Sequence, residues 1–396
     1  MRSTLAIVGA GIGGLATAAL AHDAGHAVTL FERFDAPRPL GSGLVIQPVG
    51  LAVLEAICAG AAARQMGQPI TRMLGHEVSG REVLNVGYRA TAPGLALHRS
   101  ALFQALWDQC VARGIKVITS ATVDAAPLQA GKRALTLSDG RRFGPFDLVV
   151  DTSGAASRLS PLQARALPFG AVWGTVPWPD GTGFAPDQLR QRYRAARNMV
   201  GVLPLGQRPG LSGTHAAIFW SMPTAALDHW ASTDMAAWRA EATALWPEMA
   251  PFLTPLTTAA DLTPARYTHG TLRRPFAPAL AFVGDSAHRA SPQLGQGANM
   301  ALLDAMALVT ALGMENPLPA YAAMRRWHVR TYQAMSAVFT PMYQSGSRSL
   351  PLLRDHLLAP FAPLPGIRHL LTRLVSGDML PPLAGQTFPD QGFLKP

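Results

Sequence analysis

Three glycines and one acid near the start of the chain have the types and spacing that dinucleotide binding requires. Gly9, Gly11 and Gly14 form the pattern G-x-G-x-x-G, and Glu32 follows at the distance expected of the acid in this fingerprint. The first glycine permits a tight turn, the second lets a pyrophosphate approach the backbone, and the third lets a helix pack closely on a strand. The acid accepts hydrogen bonds from ribose hydroxyls. We therefore expect residues 4–33 to bind a dinucleotide.

The elements that must position these residues can be read from the same stretch. Residues 5–8 are apolar and too short for a helix, which predicts a buried strand. Residues 15–24 predict a helix, and residues 28–31 predict a second strand that ends at Glu32. A secretory signal peptide is the alternative interpretation of a basic and then apolar start. Glycines interrupt the apolar stretch, which favours the strand, turn and helix of a dinucleotide site.

Composition limits the class of protein. Apolar residues make up 48% of the 396 residues and charged residues 15%, so the chain can bury a substantial core in two domains or one large one. Cys58 and Cys110 are the only cysteines, so the sequence has neither a disulfide framework nor the spacing of a metal site. This cysteine usage favours a cytoplasmic location. We expect no bound metal, and no transmembrane span because no apolar run reaches about 18 residues.

The net charge of +10 comes almost entirely from arginine. The densest cluster lies at residues 188–198, where we expect a loop or a short helix. A nucleic-acid-binding protein concentrates its charge on one face or in a tract, so a solvated basic surface is the plainer interpretation. Attraction of an anionic substrate or of a membrane surface is the alternative. We expect no nucleic-acid partner.

A second glycine-rich segment lies late in the chain. Residues 279–283 predict a buried strand, and Asp285 follows it; Gly295 and Gly297 then precede a predicted helix over residues 299–312. Glycines let backbone N–H groups approach a ligand closely, and the N-terminus of a helix is its positive end. An acid at the end of a strand can accept hydrogen bonds from ligand hydroxyl groups. The segment therefore predicts a further part of the nucleotide site, suited to a ligand with negative charge.

These motifs occur in the order found in a known family, and the resemblance covers nearly the whole chain. The sequence resembles the single-component (class A) FAD-dependent aromatic hydroxylases, the para-hydroxybenzoate hydroxylase-like flavoprotein monooxygenases. Within them it is similar to the branch of ubiquinone-biosynthesis and salicylate hydroxylases. The resemblance implies an FAD-dependent monooxygenase that uses NADPH or NADH as electron donor.

The resemblance and the predicted elements together indicate three sets of site residues. The FAD-binding set is Gly9, Gly11, Gly13, Gly14, Glu32, Arg33, Gly43, Arg99, Ser153, Asp285, Gly295, Gly297, Ala298 and Asn299. The catalytic set is Pro292, Gly295, Gln47 and His215, and the substrate-binding set is Val45, Trp173, Phe219, Trp220 and Pro292. For each aromatic residue, ordinary core packing is the alternative.

One position departs from the pattern of this family. The family usually has an Asp in the middle of the chain where this sequence has Ser153, although Gly154, Ser157 and Arg158 match. That Asp is associated with the handling of both FAD and NAD(P)H. A tolerated variant is the plainer interpretation, and altered use of nicotinamide is the alternative. Asp151 lies on the same side of an extended segment and could partly substitute for the missing charge.

The expected fold is α/β: a Rossmann-like FAD-binding domain with a three-layer, mostly parallel sheet, an inserted antiparallel-sheet substrate domain, and a helical C-terminal tail. The predicted ranges are 1–70, 96–167 and 270–315 for the FAD-binding domain, 71–95 and 168–269 for the substrate domain, and 316–396 for the tail. The substrate domain should contain a hairpin at 71–90 and strands at 171–176, 199–205 and 215–222. Ser100 is expected to cap a helix, and Asp304 to be an acid on a helix surface.

The resemblance implies that one atom of O2 passes, through a flavin C4a-hydroperoxide, to an electron-rich aromatic or polyketide-like small molecule. Epoxidation, N-hydroxylation, Baeyer–Villiger-type oxygenation, reduction and a flavoprotein with altered NAD(P)H use remain alternatives. In the apolar tail, Leu370, Leu371 and Leu374 are expected to pack on the body of the protein, with peripheral contact with a membrane as the alternative. A monomer or a homodimer is expected.

Overall fold

The computed structural model describes residues 2–36 and 41–386, so that residues 387–396 of the predicted tail lie outside the described part. The described strands are β1 (Thr4–Val8), β2 (Ala27–Phe31), β3 (Gly43–Ile46), β4 (Gln68–Ile70), β5 (Arg72–Glu77), β6 (Glu82–Gly87), β7 (Gly94–His98), β8 (Lys116–Ile118), β9 (Val123–Ala125), β10 (Leu128–Gln129), β11 (Lys132–Leu137), β12 (Arg142–Phe146), β13 (Leu148–Asp151), β14 (Arg165–Ala166), β15 (Phe169–Pro177), β16 (Gln188–Arg194), β17 (Asn198–Arg208), β18 (Leu211–Pro223), β19 (Thr263–Ala265), β20 (Thr268–Thr271), β21 (Phe276–Ala277), β22 (Leu280–Phe282) and β23 (His288–Arg289).

The helices alternate with these strands in the first third of the chain and dominate its end. They are α1 (Ile12–Asp23), α2 (Pro48–Ala56), α3 (Gly60–Met66), α4 (Arg99–Ala112), α5 (Thr224–Leu227), α6 (Met235–Leu245), α7 (Ala250–Leu253), α8 (Gly297–Leu312), α9 (Pro317–Tyr343), α10 (Ser349–Leu353) and α11 (Pro365–Ser376). A π-helical turn (Arg354–Leu358) follows α10 directly. In the described part of the chain, no helix combines the length and hydropathy needed to cross a bilayer.

A six-stranded sheet carries the N-terminal glycine turn. Its strand order is β21-β22-β13-β1-β2-β8, and all neighbours are parallel except β21 and β22. Helices α1, α4 and α8 bury their apolar side chains in one core with the central strands. Such a sheet is buried because helices cover it, which explains the apolar character of β1 and β13. This arrangement confirms the predicted α/β fold with a Rossmann-like sheet.

A seven-stranded sheet forms the second main part of the fold. Its order is β19-β15-β18-β17-β16-β5-β6, with antiparallel neighbours except for the parallel pair β16 and β5. The predicted hairpin and the three predicted strands are confirmed as β5 with β6, and as β15, β17 and β18. One face of the sheet packs on α6 and its neighbours, and the other packs towards β3 and β7. The second face therefore looks towards the glycine-containing segment that precedes α2.

The arginine-rich segment at residues 188–198 is mostly strand, so the predicted loop or short helix was wrong. In β16 the buried positions are Leu189, Gln191 and Tyr193, alternating with arginines on the other face. Arg190 lies over the ring of Phe184, and Arg192 lies over that of Trp246. Alternation with a period of two is the signature of a half-buried strand. Tertiary packing on aromatic rings makes so basic a strand stable.

The start of α4 also differs from the prediction. The N-cap residue is His98, whose Nδ1 accepts a hydrogen bond from the backbone N–H of Ser100. Ser100 was predicted as the cap, but it lies inside the first turn. Burial, together with the nearby charges of Arg208, His215 and Arg99, lowers the pKa of His98 to about 4. The imidazole is therefore neutral at physiological pH and has a free nitrogen that can act as the cap.

Candidate active site

The N-terminal glycine turn is built for the close approach of a ligand. Gly9 has a φ of 105°, and a Cβ atom there would lie 2.8 Å from the carbonyl oxygen of Thr152 and 2.9 Å from Cα of Ser153. A Cβ at Gly11 would meet nothing within 4 Å. Helix α1 begins directly after Gly11, which caps it without a side-chain hydrogen bond. The free N–H groups of this helix start suit a pyrophosphate.

The other two glycines of the turn serve packing. A Cβ at Gly13 would lie 3.3 Å from both Cβ of Ala301 and Cγ1 of Val283, so this glycine lets α1 approach α8. A Cβ at Gly14 would lie 2.7 Å from Oγ1 of Thr152. Gly13 is therefore at a helix contact inside the fold, and its place in the FAD-binding set stays a prediction.

Glu32 is held at the end of β2 by two backbone groups. Its Oε2 accepts a hydrogen bond from the N–H of Ala10 (2.7 Å), and its Oε1 accepts one from Phe34 (3.1 Å). The side chain is buried. A carboxylate oxygen can accept more than one hydrogen bond, so ribose hydroxyls can still bind it. Arg33 next to it is exposed, and its guanidinium lies over the ring of Phe34.

Arg99 and Asp285 lie near enough to each other for their charges to interact. Arg99 is the first residue of α4, and Asp285 lies in the turn after β22. Protein surrounds the guanidinium and lowers the pKa of Arg99, an effect that the Asp285 carboxylate partly opposes. Both side chains remain accessible to solvent. A Cβ at Gly41 would lie 2.8 Å from Cδ of Arg99, so this glycine lets the arginine side chain pass.

Ser153 occupies the position where the family has an Asp, and it donates hydrogen bonds to the buried carboxylate of Asp151. Asp151 is fully buried, and it accepts hydrogen bonds from the N–H and Oγ of Ser153 and from Oγ of Ser157. Burial raises the pKa of Asp151, although these bonds oppose the rise. Asp151 therefore does not place a charge at the surface where the family has its Asp. It fixes the position of Ser153 beside Gly9.

The late glycine loop and the segment before α2 form one unit. Asn299 is fully buried; its Oδ1 accepts from the N–H of Gln47 (2.8 Å), and its Nδ2 donates to the carbonyls of Val45 (3.2 Å) and Gly295 (3.1 Å). All the donors of the Asn299 amide are used within the protein. Asn299 was predicted to bind FAD; its side chain connects Gly295 and Gln47, and the FAD contact stays a prediction. Gly297 and Ala298, at the N-terminus of α8, remain accessible.

Gln47 has an amide group that is only half satisfied. Its side chain is fully buried, and its Oε1 accepts a hydrogen bond from the hydroxyl of Tyr88 (2.6 Å). Its Nε2 has no hydrogen-bond partner among the described residues. A Cβ built on Gly295 would lie 3.4 Å from this nitrogen. A buried donor without a partner costs free energy, so this nitrogen is a candidate hydrogen-bond donor to a ligand oxygen.

Tyr88 was missing from the predicted site. It follows β6 at the end of the hairpin, and its partner Gln47 lies 41 residues earlier. Burial raises the pKa of the Tyr88 hydroxyl well above its usual value, so it acts as a neutral donor. No spacing in the sequence connects these two residues. Only the folding of the hairpin against β3 brings them together.

The predicted substrate wall is brought together in part. The rings of Trp173 and Phe219 have centroids 4.7 Å apart, and they share a core with Val45. Nε1 of Trp173 donates to the hydroxyl of Tyr267 (2.7 Å), a second residue that the sequence did not reveal. Trp220 lies on the opposite face of β18, where its ring packs edge-on against Trp238. The structure thus separates Trp220 from the other wall residues, because successive residues of a strand point to opposite faces.

His215, predicted as a catalytic base, lies away from this wall. It is four residues before Phe219, which corresponds to about 13 Å along the strand. Its electrostatic neighbours are Arg208 and His98, and burial is the main cause that lowers the pKa of His215. The imidazole is therefore neutral, which is the form that accepts a proton.

Asp304 is at the centre of a buried network, so the predicted surface position was wrong. Its carboxylate accepts hydrogen bonds from the N–H of Gly284 (3.0 Å), from Nε2 of His288 (2.7 Å) and from Nε of Arg325 (2.7 Å). The positive charges nearby hold the pKa of Asp304 below its usual value, even though burial acts in the opposite direction. The network joins α8 and α9 to the turn that carries Asp285.

The residues present fit FAD. One open helix start, that of α1, suits a pyrophosphate, and Glu32 suits a ribose. A second open helix start, that of α8, lies next to an unsatisfied amide nitrogen and suits the polar edge of a flavin ring. The N-termini of α1 and α8 both belong to the domain built on the Rossmann-like sheet. The antiparallel sheet adds an aromatic wall. Together these features define a flavin-dependent oxidoreductase with two sheet domains.

Comparison with known proteins agrees with this assignment to the flavin-dependent oxidoreductases. The profile described as NAD(P)-binding Rossmann-like domain matches residues 7–38, and the profile described as FAD binding domain matches residues 222–319. Aurachin C monooxygenase/isomerase of Stigmatella aurantiaca is 26% identical over 81% of this chain and 83% of its own length. The 6-methylpretetramide 4-monooxygenase of Streptomyces rimosus is 27% identical over 94% and 92%.

A solved structure shares the fold over almost the full chain. Klebsiella pneumoniae HpxO, crystallised with FAD and uric acid, superimposes with a TM-score of 0.79 over 96% of this chain and 98% of its own, at 18% sequence identity. The chain is similar over most of its length to class A FAD-dependent aromatic hydroxylases and monooxygenases, and part of it matches the FAD binding domain model. It is an FAD-dependent monooxygenase.

Proposed function

We propose that this enzyme uses FAD, O2 and NADPH or NADH to hydroxylate an electron-rich aromatic or polyketide-like small molecule. The observation that carries the proposal is the aromatic wall of Trp173 and Phe219, which meets Val45 two residues before Gln47. Flat apolar ligands bind well between aromatic side chains. The names of the two curated relatives refer to aurachin C and 6-methylpretetramide, which supports a small organic molecule as substrate.

In the proposed site, different groups of residues bind the two ends and the middle of FAD. The pyrophosphate binds at Gly9 and Gly11, and the ribose next to it binds at Glu32. Arg99 and Asp285 bind the middle of the molecule, where hydroxyl and phosphate oxygens need both donors and acceptors. The flavin ring binds at the Gly295 loop. When bound there, FAD supplies hydride acceptance from the nicotinamide and the activation of O2.

The chain contributes fixed dipoles and shape to this chemistry. The N-terminus of α8, at Gly297 and Ala298, stabilises negative charge on a ligand because its N–H groups are preorganised. Nε2 of Gln47 donates a hydrogen bond at the same place. The turn that begins at Pro292 bounds the space above it, and the apolar wall excludes water from the reacting atoms.

The presence of Ser153 where the family usually has Asp bears on the reduction of the flavin by NAD(P)H. The missing Asp charge favours a second candidate function, a flavoprotein in which NAD(P)H reduces the flavin slowly. Anaerobic reduction of the bound FAD should be timed with NADPH and with NADH, for the wild type and for Ser153→Asp. A large acceleration in the variant supports the second candidate, whereas fast reduction of the wild type excludes it.

The proposed function is tested with a panel of phenols, quinolines and polycyclic polyketides. The expected result is that one chemical class stimulates NAD(P)H oxidation and yields a product heavier by one oxygen atom. Trp173→Ala should weaken that stimulation, whereas the matched change Trp327→Ala, at an exposed position on α9, should not. A product that gains two hydrogens instead would make the enzyme a reductase.

A further inference from the structure

The exposed large apolar side chains are concentrated in one short segment. Eight of the fourteen in the described residues lie between positions 352 and 370. They form what is called here the apolar face: Leu352, Leu353, Leu357, Leu358, Phe361, Leu364, Ile367 and Leu370. Isolated exposed leucines are ordinary, but a contiguous group of this size marks an interaction surface.

The segment that carries the apolar face is held rigidly on the protein. Arg354 is buried; its Nε pairs with Asp355, and its Nη1 donates to the carbonyls of Met342 (2.9 Å) and Ala195 (3.2 Å). Its guanidinium also packs against the neighbouring rings of Tyr193 and Tyr343, at 5.0 Å and 4.9 Å from their centroids. The leucines therefore point outwards from an anchored element.

Helix α11 continues the apolar face towards the active site. Its apolar stripe begins with exposed Leu364, Ile367 and Leu370, and it ends at Leu374, which is buried against the body. Of the three tail leucines, Leu374 and Leu371 pack on the body as predicted, whereas Leu370 is half exposed. The carbonyl of Val375 accepts a hydrogen bond from Nε2 of Gln296 (3.1 Å), next to the Gly295 loop.

The charge around the apolar face is mainly positive. Between residues 345 and 377 the only acid is Asp355, which is buried and paired with Arg354, whereas Arg348 and Arg368 are exposed. The adjoining hairpin adds Arg81, whose Nη1 lies 2.8 Å from Nδ1 of His356, together with the acid Glu82. The partner that fits is apolar with an anionic rim.

A second copy of the chain fits this surface less well than a lipid surface. In a two-fold dimer the same patch meets itself, so a surface that carries Arg348 and Arg368 would meet another basic surface. Like charges placed together at an interface are repulsive. An anionic bilayer offers both an apolar interior and a negative headgroup layer, and amphipathic helices with basic polar faces bind it.

We propose that the apolar face docks the enzyme on the surface of an anionic lipid bilayer, with α11 lying between the lipid and the active site. Docking is peripheral, since the apolar side chains reach only the boundary between headgroups and acyl chains. The position of α11 brings the Gly295 loop near the surface from which a lipophilic substrate would come. The docking itself is independent of the proposed reaction.

The test is sedimentation of the FAD-loaded enzyme with vesicles. One set contains phosphatidylcholine alone, and the other contains equal amounts of phosphatidylcholine and phosphatidylglycerol. We expect roughly tenfold more bound enzyme on the anionic vesicles, and a decrease as salt rises. The triple variant L357S/F361S/I367S should lose this binding. The control V111S/L128S/L211S, equally exposed but elsewhere, should keep it.

Two results would overturn the proposal. One is wild-type enzyme that stays in solution with both kinds of vesicle. The other is concentration-dependent self-association in analytical ultracentrifugation that the triple variant abolishes, because the apolar face would then bind a second copy. Circular dichroism and FAD content of the two triple variants establish that they fold, so that lost binding is attributable to the face.

Discussion

Gln47 combines burial with an incompletely satisfied amide group close to the Gly295 loop. Its Oε1 is bound to Tyr88, while its Nε2 lies buried near Gly295 without a partner in the described part of the chain. Single unsatisfied donors of this kind are rare in folded proteins and usually have a functional explanation. The explanation proposed here is a ligand oxygen at the Gly295 loop.

Gln47→Met should therefore affect the ligand more than the fold. The change keeps the volume. It takes the acceptor from the Tyr88 hydroxyl but also removes the buried, unpartnered amide nitrogen. These effects oppose each other, so the free energy of unfolding of the apoprotein should change by about 1 kcal/mol or less. Binding of FAD or of substrate should weaken roughly tenfold, since a ligand oxygen loses its donor. Urea unfolding and FAD fluorescence titration measure the two effects. Gln104→Met, on α4, should change neither quantity; unaltered ligand binding in Gln47→Met would contradict the assignment.

For Asp304 we expect an effect on stability, because its carboxylate binds only groups of the protein. Asp304→Asn leaves the buried Arg325 guanidinium without its counter-charge, which typically costs about 3–5 kcal/mol of folding free energy. Denaturant unfolding should show this loss. The matched change Asp124→Asn breaks an exposed ion pair with Arg158 and should leave the unfolding midpoint unchanged. Equal stability of the two variants would show that the buried network does not support the fold.

His328 makes stability depend on pH. Burial, with the charge of Arg325, lowers the pKa of His328 from 6.5 to about 3. The unfolded chain binds a proton below pH 6.5 that the folded chain does not, so the stabilising contribution is complete above pH 6.5. It is lost progressively as the pH falls towards 3, by at most about 1.4 kcal/mol per pH unit. Urea unfolding between pH 7 and 5 should show a shallower slope for His328→Gln than for the wild type, and parallel slopes would refute the assignment.

At the scale of elements, the N-termini of α1 and α8 are the features that could be predicted best from the sequence. Glycines, an acid and apolar runs at fixed spacings are local signals, so β1, α1 and β2 could be located within a few residues. Asp304 was wrongly predicted to lie on the surface, although the apolar sequence on all sides of α8 is a signal that an acid there is buried and paired. The paired groups, Arg325 and His288, could not be inferred, because they come from other elements.

The glycine turn allows a paired test at this scale. In Gly9→Ala the new methyl group meets backbone atoms of Thr152 and Ser153 at a positive φ, so the apoprotein should lose about 2 kcal/mol or more. In Gly11→Ala the methyl group enters open space, so the apoprotein should lose about 1 kcal/mol or less. FAD affinity of Gly11→Ala should nevertheless fall by about tenfold or more, because the methyl group occupies the approach of the pyrophosphate. Undiminished FAD affinity in Gly11→Ala would place the pyrophosphate elsewhere.

At the scale of the molecule, two sheets from separate stretches of sequence meet at the Gly295 loop. The antiparallel strands were predictable from their period-two pattern, but which residues face the loop was not. One step of register exchanges the two faces of a strand, and this is why Phe219 lies in the wall and Trp220 does not. Contacts such as those of Tyr88 with Gln47 and of Tyr267 with Trp173 depend on the packing of distant segments, for which no local signal exists.

The most direct measurement is the origin of the oxygen in the product. The FAD-loaded enzyme is supplied with NAD(P)H, with the aromatic compound that stimulates its oxidation most, and with isotopically heavy O2. The predicted result is a product whose mass increases by one heavy oxygen atom, in proportion to the NAD(P)H consumed. Consumption of NAD(P)H with a product that contains no heavy oxygen would contradict a monooxygenase that hydroxylates aromatic substrates.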